Sequence, residues 1–107
     1  ETQSERLEAR HTDPLKQWKI SPIDAVASEH WDDYSNARNE MLARTHNPIT
    51  PWTIVRADIK RQARLNLIKH LLSHIDYDGK DESVLDEDPD LVFPFDPHQI
   101  RTGMIAP

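Results

Sequence analysis

The chain has 107 residues with 13 Lys or Arg against 19 Asp or Glu, a net charge of −6, and 36% hydrophobic residues, enough for one small domain with a modest core. It contains no cysteine, which excludes a disulfide framework, a thiolate metal site and a thiol nucleophile. Its two glycines, Gly79 and Gly103, are too few and too late in the chain for a glycine-rich phosphate cradle such as G-x-x-x-x-G-K-[ST], so the main cradle of any phosphate chemistry must lie elsewhere.

The acidity is not evenly spread. Residues 1–75 carry 11 Lys/Arg and 10 Asp/Glu, whereas residues 76–107 carry 2 and 9. The body is charge-mixed and the tail acidic. No apolar run approaches the roughly 20 residues of a membrane helix, and no signal-peptide pattern opens the chain. A soluble, cytoplasmic protein without a membrane partner is therefore expected. The chain opens on Glu1 rather than methionine, and we expect it to be part of a longer protein.

In chain order, residues 3–11 read as the end of a helix, with Arg6 and Arg10 four apart on one face. Asp13-Pro14 and Ser21-Pro22 then give two helix starts in close succession, each pairing a capping side chain with proline at the first helical position. Ser21 and Asp24 form an S-x-x-D capping box. A short helical turn between these starts places Lys16 and Lys19 on one side. The stretch from Pro22 to about Arg44 is predicted as one long helix, since Ile23, Val26, Ala27, His30, Trp31, Tyr34, Ala37, Arg38, Met41 and Leu42 recur at three- and four-residue spacing. It stops at Thr45-His46-Asn47-Pro48.

Residues 52–56 (WTIVR) predict one buried strand, and Asp58 is positioned to cap a helix over about 59–75. The apolar set of that helix is Ala63, Leu67, Ile68, Leu71, Leu72 and Ile75. Lys60, Arg61 and Arg64 crowd its first turns against the helix dipole, an arrangement that a bound anion would explain. One strand is not a sheet, and only residues 91–95 offer a partner, so the chain reads as the C-terminal piece of an α/β domain. Residues 76–90, with eight carboxylates and one lysine, read as a mobile linker, followed by an extended tail. Trp31 and Trp52 are expected in the core, with Trp18 unassigned.

Metal sites find little support. Aligning Gly79 with the sixth position of a calcium loop puts His74 at the first ligand position and Leu85 at the twelfth, where the pattern demands carboxylates. His70 and His74 share a helix face but lack a third ligand. The basic residues are more informative. Arg6, Arg10, Lys16 and Lys19 surround the paired helix starts; Arg56, Lys60, Arg61 and Arg64 surround a strand-to-helix turn, where open α/β sheets bind ligands. An anion is the expected guest; nucleic acid is not, for want of a long basic stripe.

Three segments in order, RLEARHTDPLKQWKISPID, WDDYSNARNEM and PWTIVRADIKRQARLNLIKHLLS, resemble the C-terminal half of the polyphosphate kinase 2 family. The resemblance runs from about Arg6 to Tyr77 and does not cover the tail. It implies an α/β protein, the C-terminal portion of a thymidylate-kinase-like P-loop kinase fold, mostly helical here with one strand. Residues 1–77 would be lid helices plus the last strand and helix, and residues 78–107 an acidic linker and extended tail. The family transfers phosphoryl groups between inorganic polyphosphate and nucleoside di- or monophosphates with Mg²⁺.

By this resemblance DPLKQWK is the lid, in which Arg6, Arg10, Lys16 and Lys19 grip polyphosphate. Arg56, Lys60, Arg61 and Arg64 line the phosphate path or its rim. The P-loop and the Mg²⁺-binding aspartates belong to the family's N-terminal half, so no catalytic or metal residue is assigned to this chain. Thr53 replaces a usual aromatic, Ile59 a common acid and Asp76 a usual proline. Arg61 to Asn66 is closer to forms that phosphorylate nucleoside diphosphates, ADP or GDP. A homo-oligomer, dimer or tetramer, is also implied. The alternative reading is a non-catalytic helical interaction or oligomerisation module derived from the family.

Overall fold

A computed structural model describes residues 2–107, which fall into two compact units divided between Glu40 and Met41. In the first unit, α1 (Thr2–Thr12) is followed by a three-ten turn, Gln17–Lys19, and by α2 (Pro22–Glu29). The expected capping box is present: Ser21 Oγ accepts the Ile23 N–H at 3.3 Å while Asp24 Oδ2 accepts the Ser21 N–H at 3.2 Å.

The single long helix expected over 22–44 is instead two. The backbone leaves helical geometry at His30 (φ −100°, ψ 20°) and α3 begins afresh as Trp31–Thr45. Asp32 and Asp33 occupy the first turn of α3, where the helix dipole favours anions, and the His30 ring lies 2.8 Å from Asp33 Oδ2. Trp31, expected in the core, is 40% exposed. It borders a groove with Gln3, Ala27, Tyr34, Ser35 and Arg38 that no element of this unit fills.

The second unit contains the sheet. Strand β1 (Thr53–Val55) pairs antiparallel with β2 (Val92–Pro94) in the register Thr53↔Pro94, Ile54↔Phe93, Val55↔Val92. The candidate partner at 91–95 is thus a strand, and the described chain has two strands rather than one. Flanking bonds from Arg56 N–H to the Leu91 carbonyl and from Phe95 N–H to the Trp52 carbonyl, both 2.9 Å, extend the ladder. Phe93 and Phe95 share a face, as residues two apart in a strand must, and join Leu42 and Ile105 in the buried cluster. Ile54, Ile100 and Met104 pack around it.

Strand β1 is half-buried rather than buried, and Trp52 before it is 39% exposed, its indole N–H donating to Thr45 Oγ1 at 2.7 Å. Helix α4 (Lys60–Ser73) packs against β2 and buries Ala63 and Asn66. Asp58 does not cap it: the N-cap position is Ile59, with no side-chain bond. Of the expected apolar set, Leu67, Ile68, Leu71 and Ile75 remain exposed.

The segment expected as a free linker is fastened along α4. The Asp88 N–H donates to Asn66 Oδ1 at 2.7 Å, Lys69 Nζ to the Asp86 carbonyl at 2.9 Å and Lys80 Nζ to the Ser73 carbonyl at 3.0 Å. Glu87 meets His70 Nδ1 at 2.9 Å, and Leu85 is buried. The expected extended tail holds a further helix, α5 (His98–Thr102), ended by Gly103 in the left-handed region at φ 75° that glycine adopts without strain.

Candidate functional site, two basic turns

In the first unit Asp13-Pro14 opens a turn rather than a helix, and Lys16 and Lys19 lie on the connection between α1 and α2. Lys16 and Lys19 bracket the three-ten turn, and the Lys19 N–H closes it onto the Lys16 carbonyl at 3.0 Å. Trp18 between them is 77% exposed, its indole N–H fixed to the Leu15 carbonyl at 3.0 Å. The Lys19 ammonium sits 5.0 Å from the centroid of that ring. Lys16 Nζ lies 3.0 Å from Asp13 Oδ2. That ammonium, with help from the Leu15 amide, holds the Asp13 carboxyl below the usual carboxylate range.

Arg10 is engaged differently. Its Nη1 donates to Asp24 Oδ2 at 2.7 Å and reaches the Lys19 carbonyl at 3.3 Å. The guanidinium holds the Asp24 carboxyl low, with the Ser21 N–H acting in the same direction. Arg6 is exposed on α1 and forms no ion pair among the described residues. Asp13 and Asp24 are the groups the sequence reading passed over as partners of these cations. Asp13 could be read from its three-residue spacing to Lys16; Asp24, fourteen residues from Arg10, could not.

In the second unit Arg56 leaves β1 and approaches Asp58 at 3.9 Å. Lys60, Arg61 and Arg64 stand exposed on the opening turns of α4, with no ion pair among the described residues. None of the eight carboxylates of residues 76–90 pairs with these four cations among the described residues; the acidic segment engages α4 further along, at Asn66, Lys69 and His70. Among the described residues no group of three or more His, Asp or Glu could hold a metal ion. No described helix is long and apolar enough to cross a membrane.

Exposed cations on short, hydrogen-bonded turns suit a flexible polyanion, which needs several point charges rather than one deep pocket. The family model for Polyphosphate kinase 2 (PPK2) matches residues 1–83, and the chain belongs to that family. It is 48% identical over 92 residues to NDP-polyphosphate phosphotransferase 2 of Ruegeria pomeroyi, covering 86% of this chain and 27% of that protein. It is 47% identical over 87 residues to ADP-polyphosphate phosphotransferase 1 of Rhizobium meliloti, covering 81% and 29%. It is 51% identical over 75 residues to the GDP-polyphosphate phosphotransferase of Mycobacterium tuberculosis, covering 70% and 25%. The chain thus spans about a quarter of the length of the curated relatives it matches.

Proposed function

We propose that this chain is the polyphosphate-gripping portion of a polyphosphate:nucleoside-diphosphate phosphotransferase with a P-loop kinase fold. The observation that carries the reading is the exposed turn bearing Lys16 and Lys19, in a chain 47% identical to a named ADP-polyphosphate phosphotransferase. Phosphoryl transfer asks little covalent chemistry of the protein; positioning and charge neutralisation lower the barrier. Lys16 and Lys19 would hold successive phosphates of inorganic polyphosphate, with Arg6 beside them. Arg56, Lys60, Arg61 and Arg64 would neutralise the chain, or the nucleotide's phosphates, at the strand-to-helix turn.

Catalysis on this reading needs the rest of the protein. The described residues offer no ligand set for Mg²⁺, and in the proposal the ion and the P-loop belong to the portion outside this chain. The test is to supply the full-length protein with polyphosphate and ADP or GDP and to measure nucleoside triphosphate. Formation of ATP or GTP dependent on polyphosphate is expected; no product from any nucleoside diphosphate would overturn the reading.

A second reading is favoured by one observation. Leu67, Ile68, Leu71 and Ile75 form an exposed apolar face on and just beyond α4, as a helical interaction or oligomerisation module would present. A homo-oligomer, dimer or tetramer, fits both readings. Under the second, the full-length protein would assemble through this face without turning over polyphosphate.

A further inference from the structure

Arg10 lies on α1 before the Lys16–Lys19 turn, and its guanidinium is spent inside the protein. Its Nη1 donates to Asp24 Oδ2 at 2.7 Å and reaches the Lys19 carbonyl at 3.3 Å. The same Asp24 oxygen accepts the Ser21 N–H at 3.2 Å. The end of α1, the last residue of the three-ten turn and the start of α2 therefore converge on one guanidinium–carboxylate pair. The Asp24 side chain is 13% exposed and that of Arg10 31%, so the pair is better shielded than Lys16 and Asp13, at 51% and 35%. Charge-assisted bonds of this kind are the strong ones, and a shielded pair is little screened by salt.

The contrast with its neighbours assigns different tasks. Lys16 and Lys19 sit on the turn that the pair pins, with Lys19 lying over an exposed ring. A cation free to meet a polyanion must give up its internal partners first, and Arg10 has the most to give up. We propose that Arg10 and Asp24 are positioning residues: their pair fixes the turn so that Lys16 and Lys19 are presented ready-placed, and Arg10 itself touches no phosphate. Preorganisation of this sort raises affinity by removing the ordering cost from the binding step. The proposal rests on the polyphosphate reading of the turn, but the pair can also be tested without it.

Asp24→Asn decides between a positioning and a binding Arg10. Asparagine keeps an oxygen to accept the Ser21 N–H, so α2 stays capped, but it loses the charge that holds Arg10. An aspartate cannot itself bind a polyanion. If Arg10 were a phosphate ligand, Asp24→Asn would release it and leave the KM for polyphosphate unchanged or lower. With Arg10 as a positioning residue, Asp24→Asn and Arg10→Ala in the full-length protein each raise that KM about tenfold, with kcat within about twofold. They also speed amide exchange at Lys19 and Ile20, whose N–H groups close the turn onto Lys16 and Gln17. A lowered or unchanged KM in Asp24→Asn, beside a raised one in Arg10→Ala, overturns the proposal. Should Lys16→Ala with Lys19→Ala leave the KM unmoved, the polyphosphate reading of the turn fails, and exchange alone decides the positioning role. Faster exchange in both single variants sustains it; unchanged exchange overturns it.

Discussion

Glu87 closes on His70 at 2.9 Å and so ties α4, inside the region matched by the family, to a residue beyond its end at 83. The His70 ring also lies 3.3 Å from Thr53 Oγ1 on β1. One imidazole therefore joins β1, α4 and the acidic segment. The Glu87 carboxylate is thus turned to structural use on α4, while Asp86 and Asp88 are held there through their main-chain carbonyl and N–H.

Removing that junction is expected to loosen the segment without unfolding the unit. Glu87→Gln should cost about 1 kcal/mol, the ordinary worth of a half-buried hydrogen bond. Amide exchange should quicken at Asp88, whose N–H depends on Asn66. Denaturant unfolding of the variant beside the parent protein measures the first effect and exchange the second.

The buried cluster makes a stronger demand. Phe95 is 4% exposed against Leu42, Phe93 and Ile105. Phe95→Ala is expected to cost about 3–5 kcal/mol, the transfer term plus the cavity left behind. A loss below about 1 kcal/mol in the same unfolding experiment would mean that the tail contributes no core.

The basic start of α4 sets stability against binding. Lys60 and Arg61 occupy the first two helical positions, where the dipole repels cations. Replacing each with Ala should stabilise the protein by about 0.3–1 kcal/mol at low ionic strength while weakening polyphosphate binding. Thermal unfolding with and without polyphosphate reads both: Tm rises in the bare protein, and the upward shift that polyphosphate produces shrinks.

Acid should release the Arg10–Asp24 pair with a defined sign. Arg10, the largest influence, holds the folded carboxyl below its unfolded value. The contribution to stability is thus fully present above the ordinary carboxylate range and is lost as pH falls through the depressed folded value. Carboxyl titration followed by NMR should show Asp24 ionised below the ordinary carboxylate range, and Arg10→Ala should return it toward that range.

What the sequence disclosed and what it hid divide along one physical line. The Ser21–Asp24 box and the Lys16–Lys19 turn were legible because caps and tight turns obey rules a few residues long. The break at His30 was hidden because apolar spacing runs through it from Val26 to Tyr34 undisturbed. Trp31 and Trp52 were placed in a core that this chain does not close over them, since periodicity marks a face and not what covers it. The pairs Arg10–Asp24 and His70–Glu87 join residues 14 and 17 apart, a distance at which no spacing rule operates. The cations of the candidate site were therefore readable, but not which of them are already engaged.

The most direct test of the central claim is the KM for polyphosphate of the full-length protein carrying Lys16→Ala and Lys19→Ala, measured with ADP over several polyphosphate lengths. A rise of at least tenfold, largest for long chains and shrinking with added salt, is the predicted result. An unchanged KM at every length would contradict the account.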